Sequence, residues 1–291
     1  MEDEKTPLVS VVISCYNHEA FIEDSILSVL KQTYDNIELI VFDDGSADKS
    51  ADKLEELSKK HHFFFQRQEN IGYTATLNRA IKLCKGKYIA FLGSDDMFMQ
   101  DKIEKQVQFL EHREDIAVCG GDVVIINEAG VLIENRKKQP YREIDFQTLF
   151  NDRNAGVPAP TALIRLDVLR KVGGYDPDIR LEDLYLWLKI THFGYKLAIL
   201  TDTLVYYRKH GSNTHNNYQF MSDSIIEIYE QYKTEPGYQS AINKVLIALF
   251  LKTSRLDSKY AFGLLKRIDP RFYNLKVLRG CWALLKPNKR K

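Results

Sequence analysis

Over the first 115 residues, short apolar runs alternate with segments whose apolar residues recur every three or four positions. Leu8-Val-Ser-Val-Val-Ile13 is a near-continuous apolar run, and from His18 to Leu30 residues Phe21, Ile22, Ile26, Val29 and Leu30 fall at helical spacing. The same alternation returns as Ile37–Phe42 before a helix near Asp48–Ser58, as Phe63–Gln66 before Thr74–Cys84, and as Tyr88–Leu92 before Lys102–His112. Repeated strand–helix units predict a parallel sheet with right-handed crossovers and helices on both faces. Beyond Ile116 the pattern changes. Val118 and Val123–Ile126 read as strands, Asn127-Glu-Ala-Gly130 is hairpin turn chemistry, and Pro158-Ala-Pro leads into a further short strand ending near Arg165. Leu181–Ile190 reads as an amphipathic helix with acids at its start. After Asn216 the strands stop, and helices around Ile225–Tyr232 and Val245–Phe250 are separated by Pro236-Gly237.

Composition narrows the function classes. The chain has 291 residues, 44% of them hydrophobic, enough for one large domain with an appendage or two modest ones. Its 41 basic and 40 acidic residues leave a net charge of +1, so no nucleic-acid partner is indicated. Cys15, Cys84, Cys119 and Cys281 lack any C-x-x-C spacing, which argues against a zinc ribbon or a disulfide framework and for a reducing compartment. Met1–Lys5 is acidic, without the basic and apolar regions of a signal peptide, and no run approaches the ~20 apolar residues that span a bilayer. A cytoplasmic protein with at most peripheral membrane contact is expected.

Chemistry concentrates at the ends of the apolar runs. Open parallel sheets bind ligands at the carboxyl ends of their strands, and the run Tyr88–Leu92 ends on Gly93-Ser-Asp-Asp96. Two adjacent carboxylates hold both charges comfortably when a cation or a donor-rich ligand lies between them, which points to a divalent metal carrying phosphates. In isolation such a tripeptide would more simply cap the next helix. The second strand ends on Asp43-Asp-Gly-Ser46; Gly45 suits a tight turn and Ser46 a cap, but neither accounts for the paired aspartates. Ser14-Cys-Tyr-Asn17 contains no glycine, which disfavours both a dinucleotide-binding turn and a Walker A loop. If the sheet binds a nucleotide diphosphate, its charge must be neutralised by something other than a glycine-rich loop, and Asp95 and Asp96, through a metal, would serve.

Taken in order, Val9–Asn17, Gln32-Thr33, Asp43-Asp-Gly-Ser46, Asn70-Ile-Gly72 followed by Asn78, Gly86–Asp96, Gly173-Gly-Tyr-Asp176, Glu182-Asp183 and Tyr207-Arg-Lys-His210 resemble the motifs of a family 2 inverting glycosyltransferase, over roughly residues 7 to 215. The resemblance implies a GT-A fold: α/β, with a Rossmann-like, mostly parallel central sheet flanked by helices and a helical C-terminal appendage. It implies a catalytic domain at 1–215, divided into a nucleotide-sugar half near 1–115 and an acceptor half near 116–215, and a C-terminal region at 216–291. It further implies a nucleotide-sugar donor, usually a UDP-sugar, contacted by Tyr16, Asp44, Asn78, Asp95 and Asp96. Mn²⁺ or Mg²⁺ would be held by Asp96 and His210, with Asp183 as the base that takes the acceptor hydroxyl's proton and the Gly211-Ser-Asn loop folding over the donor. The chain departs from the family pattern at Gly93, where many relatives carry the first aspartate of Asp-x-Asp-Asp, and at Lys189, where arginine is frequent. The expected product is a glycan, most plausibly a lipid-linked, undecaprenyl-diphosphate-borne precursor of a bacterial surface polysaccharide such as O-antigen or capsule, made on the inner face of the cytoplasmic membrane.

The final segment interleaves Lys259, Lys266, Arg267, Arg271, Lys276, Arg279, Lys286, Lys289, Arg290 and Lys291 with Phe262, Leu264, Leu265, Leu278, Trp282, Leu284 and Leu285. That mixture suits a helix lying on an anionic membrane surface, with a solvated tail as the alternative. Two other functions remain open at this level. A sugar nucleotidyltransferase would need a glycine-rich basic loop after the first strand, and an inactive sugar-binding protein would not need Asp44, Asp95, Asp96 and Asp183 together.

Overall fold

The computed structural model describes residues 6–134, 138–152, 155–179, 181–211 and 218–285. The alternation of the first 115 residues becomes β1 (Val9–Cys15), α1 (Ile22–Leu30), β2 (Ile37–Asp44), α2 (Ser50–His61), β3 (Phe64–Gln68), α3 (Tyr73–Leu83), β4 (Tyr88–Gly93), the two-residue β5 (Met97–Phe98) and α4 (Lys102–Glu111). Strands β3, β2, β1 and β4 are neighbours in that order and parallel. Successive residues of a strand point to opposite faces, and in β4 this sends Tyr88, Ala90 and Leu92 into one apolar cluster and Ile89 and Phe91 into another. Helices cover both clusters, which is why the strands read as continuous apolar runs rather than alternating ones.

Beyond β4 the sheet becomes mixed. It continues through β6 (Ile116–Ile126), with β7 (Leu132–Glu134) paired antiparallel across the Asn127–Gly130 turn, then β8 (Arg142–Ile144), α5 (Phe146–Asn151), β9 (Leu163–Arg165), α6 (Leu166–Lys171), α7 (Glu182–His192) and β10 (Lys196–Arg208). The short β9 lies antiparallel between β4 and β6, and β10 is parallel to β6. Two successive antiparallel pairings restore direction, so β1, β2, β4, β6 and β10 all point their carboxyl ends to one edge. The apolar pattern alone did not reveal β10. Its Thr201-Asp202-Thr203 interrupts the alternation and coincides with shifts of register against β6, the bend of a bulged strand. That bend carries its last residues toward the edge where β4 ends.

The C-terminal region forms α8 (Tyr218–Glu230), α9 (Tyr238–Thr253), α10 (Ser258–Arg267) and α11 (Leu275–Leu285). These helices continue the core on the α5–α7 side. Tyr229 stacks on Phe150 at 5.3 Å and donates its hydroxyl to the Phe150 carbonyl at 3.1 Å, and His192 meets Glu235 at 2.8 Å. In α11, Val277, Gly280 and Ala283 are buried, and a Cβ on Gly280 would come within 2.3 Å of the Phe250 ring of α9. The boundary drawn at 215/216, and Ser212, Asn213 and His215, fall outside the described residues.

Candidate active site

Three strand ends build the floor of the site. After β1, Asn17 takes a left-handed conformation (φ 55°), tolerable for asparagine because its side chain bonds locally. Its backbone N–H donates to Ser46 Oγ at 2.9 Å while its Oδ1 accepts from Ala47 N at 2.7 Å, and the His18 N–H donates to Ser50 Oγ at 3.0 Å. The loops after β1 and β2 therefore brace each other. Tyr16 is left half exposed, its ring free to lie against a flat ligand. Gly45 is fixed by the same packing: its φ is +80°, and a Cβ there would stand 2.8 Å from Asn70 N.

Asp44 at the end of β2 is buried. Its Oδ1 accepts from Gln68 Nε2 at 2.8 Å and Ile71 N at 2.9 Å, and its Oδ2 accepts from Gly72 N at 3.0 Å. This carboxylate orders the loop that leads into α3. Asn78 on α3 acts as a clamp: its Nδ2 donates to the Tyr175 carbonyl at 2.7 Å and its Oδ1 accepts from Tyr175 N at 3.0 Å. Half of its hydrogen-bonding capacity is thus used in holding the segment before α7. Gly174, at φ +66°, lets that segment come close, since a Cβ there would be 2.8 Å from Asn78 Oδ1.

At the end of β4 the two carboxylates have different surroundings. Asp96 is 4% exposed; its Oδ1 accepts from the Arg208 backbone N–H at 2.8 Å. Burial, and then the neighbouring Asp95 charge, push its carboxyl well above the usual range. Asp95 lies nearer the opening and meets His210 Nε2 through Oδ2 at 2.8 Å. Arg208, the last residue of β10 and itself buried, ties the corner together: Nε donates to the Asp95 carbonyl at 2.9 Å, one terminal nitrogen donates to Glu128 O at 2.7 Å, and the other donates to Asp24 Oδ2 at 3.0 Å. A Cβ at Gly93 would sit 2.7 Å from Asp95 Oδ1 and 3.2 Å from Asp96 Oδ2, so glycine here leaves both carboxylates room.

The opposite wall is the start of α7. Trp187 Nε1 donates to the Val157 carbonyl at 2.9 Å and anchors the helix, presenting Glu182 and Asp183 in its first turn, where the helix dipole favours negative charge. Burial, and then Asp183, raise Glu182 to about 7. Asp183 Oδ1 accepts from Leu184 N at 2.6 Å. Desolvation, and then the charges of Glu182, Asp95, Asp96 and Asp183, push up the hydroxyl of Tyr73 in the first turn of α3, although 42% of the residue is exposed. Lys189 donates to Tyr185 on its own helix at 2.9 Å.

Residues 10–173 match the family model described as glycosyl transferase family 2. The chain belongs to that family. An uncharacterised glycosyltransferase of Haemophilus influenzae is 33% identical over 227 residues, 74% of this chain and 69% of that protein. The Escherichia coli UDP-Glc:α-D-GlcNAc-diphosphoundecaprenol β-1,3-glucosyltransferase is 34% identical over 183 residues, 63% of this chain and 69% of that one. Among solved structures, Staphylococcus aureus TarS residues 1–349 with UDP-GlcNAc superposes with a TM-score of 0.68 at 17% identity, covering 95% of this chain and 79% of that one. A mannosyltransferase from Pyrobaculum calidifontis with GDP-Man and Mn²⁺ gives 0.60 at 15% identity, covering 97% and 86%. The fold of this family 2 glycosyltransferase is therefore GT-A, and the chain is an enzyme of that class.

Within the glycosyltransferase, one ligand atom from each of His18, Asp95 and His210 lies within 4.8 Å of the others, the kind of donor set that suits a divalent cation. His210 thus joins Asp95, while Asp96 lies deeper and outside that trio. Sequence reasoning assigned no role to His18, Arg208 or Tyr73. Arg208 and His210 shared a quoted motif, so a signal for Arg208 existed. His18 and Tyr73 carry no local signal beyond directly following a motif, Val9–Asn17 and Asn70-Ile-Gly72 respectively.

Proposed function

We propose that this glycosyltransferase moves a sugar from a nucleotide-sugar, most simply a UDP-sugar, to a hydroxyl of a glycan acceptor, with inversion and with a divalent cation, Mn²⁺ or Mg²⁺. The observation that carries the reading is the meeting of Asp95 and His210 at 2.8 Å at the carboxyl edge of the sheet, one acidic wall, with Glu182 and Asp183 in the first turn of α7 as the other. A donor diphosphate fits the first wall beside His210 and an acceptor hydroxyl the second. Tyr16 offers a surface for the base, while Asp44 and Asn78 hold the loop and clamp that shape the cleft.

In a single displacement, the acceptor oxygen bonds to the anomeric carbon as the bond from that carbon to the diphosphate oxygen breaks. Asp183 takes the acceptor proton, and the nucleoside diphosphate leaves with the bonding electron pair. A bound divalent cation supplies charge neutralisation for the departing diphosphate. Asp96 and His210, with Asp95, would hold it. The Escherichia coli relative uses UDP-Glc and a diphosphoundecaprenol-linked acceptor, which supports a lipid-linked precursor of a bacterial surface polysaccharide as the acceptor class here, met at the inner face of the cytoplasmic membrane.

A panel of UDP- and GDP-sugars with Mn²⁺ or Mg²⁺ tests the reading through cation-dependent donor hydrolysis and thermal stabilisation. One donor should stand out, and Asp96→Asn should weaken its cation-dependent binding by at least ~10-fold, because the amide removes a charge that faces the cation. No stabilisation by any nucleotide-sugar, or unchanged binding by Asp96→Asn, would overturn it. Proton NMR of the product reports the anomeric configuration.

A further inference from the structure

His18 has no part in the displacement just described, yet it is held with unusual care. The braced loop after β1 fixes its backbone, and Nδ1 lies 2.7 Å from Ser94 Oγ, a hydroxyl that is 3% exposed. With Nδ1–H donating to that oxygen, the lone pair is left on Nε2, which is how an outer partner sets the tautomer of a ligating imidazole. The His18 ring stands edge-on to His210, with centroids 5.5 Å apart. Ligand atoms around one small cation, at bonds of about 2.0–2.2 Å, stand roughly 3–4.4 Å from each other. The 4.8 Å limit on the His18, Asp95 and His210 atoms is within a small side-chain adjustment of that spacing.

We propose that His18 is a further metal ligand of this chain, lying with Asp95 and His210 so as to add a second imidazole to the site, which then selects transition cations such as Mn²⁺ over Mg²⁺. The inference rests on the glycosyltransferase reading of the site and adds to it the ligand and the selectivity. Mg²⁺ keeps oxygen ligands and near-ideal octahedral geometry and sheds water reluctantly, whereas imidazole nitrogen suits the first-row transition ions. Two nitrogens in the ligand set therefore bias the site against Mg²⁺. They also leave coordination positions for oxygens of a diphosphate.

Mn²⁺ binding to the full chain without nucleotide is measured by electron paramagnetic resonance, with Mg²⁺ measured by competition. Pulsed spectra of the Mn²⁺ complex report directly coordinated nitrogen. The native protein should show two imidazole nitrogens and His18→Asn one, with Mn²⁺ affinity lowered at least ~10-fold and Mg²⁺ affinity changed much less. Should His18→Asn fail to fold, Ser94→Ala removes the orienting partner and should weaken Mn²⁺ in the same direction by ~10–100-fold. A native spectrum with a single nitrogen, or Mn²⁺ affinity indifferent to both substitutions, overturns the inference. If that native protein still hydrolyses its donor with Mn²⁺, the glycosyltransferase reading stands while His18 is excluded.

Discussion

Two ionisable residues, Glu182 half-buried and Lys102 buried, give this protein opposite responses to pH. Glu182 has an ordinary value of 4.5 and is raised to about 7. Between those values the folded chain retains a proton that the unfolded chain has released, so stability falls as pH rises across the window. Lys102 is fully buried on α4, over the Phe98 ring at 4.2 Å, with Nζ donating to Gln106 Oε1 at 2.7 Å; burial lowers it from 10.5 to about 7. Between about 7 and 10.5 the unfolded chain binds the proton and the folded chain does not, so stability rises with pH. Each contribution is at most about 1.4 kcal/mol per pH unit. Glu182→Gln should flatten the slope from pH 5 to 7 and leave the alkaline slope intact, and Lys102→Met should do the reverse, both read from denaturant melts across pH. The slope is the readout for Lys102 because the substitution also leaves Gln106 Oε1 without its donor, which shifts absolute stability by ~1–3 kcal/mol. Equal slopes in native and variant proteins would refute these assignments.

At the scale of elements, activity depends on where the first turn of α7 stands relative to the end of β4. Asp183→Asn should lower turnover by ~10²–10⁴-fold with donor binding retained, the usual effect of losing a positioned base. Glu182→Gln is the control one residue away, about 100° around the helix. If Glu182→Gln abolishes transfer while Asp183→Asn does not, the base is Glu182. The position of α7 depends on the clamp from α3, so Asn78→Ala, which removes both bonds to the Tyr175 backbone, should cost ~1–3 kcal/mol of stability. It should also lower kcat more than donor affinity, because α7 carries the proposed acceptor wall. A loss of donor affinity with kcat intact would instead point to direct contact between Asn78 and the donor.

For the whole molecule, the C-terminal helices have two roles to separate. No helix among the described residues is long and apolar enough to cross a membrane. Helix α11 packs Val277, Gly280 and Ala283 against the core and leaves Leu275, Leu278, Trp282 and Leu285 exposed, with Lys276 and Arg279 beside them. Elsewhere in the region Arg267 meets Glu230 and Arg271 meets Asp269, so part of the basic excess is neutralised within the fold. An exposed apolar stripe with basic flanks fits an anionic bilayer surface, which would bring the site to a lipid-linked acceptor. Because these helices share the core, truncation near residue 216 would expose apolar surface and confuse the test. Changing Leu278 and Trp282 together to serine avoids that. Sedimentation with anionic vesicles should show binding reduced at least ~10-fold and falling with salt in the native protein, while the melting temperature stays within a few degrees. Vesicle binding unaffected by the double substitution would exclude this face.

The fold class was legible because strands buried on both faces and helices packed on one face leave different apolar periods in the chain, and the first 115 residues keep those periods cleanly. Asp44, Asp95 and Asp96 stand out as well, at strand ends where a run of apolar residues stops and charge begins, whereas Asp183 was singled out by its resemblance to a family motif. What periodicity cannot carry is pairing between distant segments. Strand β10 hides behind its interrupted register, and its partner β6 begins 80 residues earlier. Only its parallel alignment with β6 brings Arg208 under Asp95 and Asp96 and His210 beside His18. Likewise the clamp from Asn78 to Tyr175 spans 97 residues. Sequence determined which chemistry lies at the edges of this sheet; tertiary structure decided which groups meet, because contact between them depends on strand order and loop bracing that no local pattern encodes.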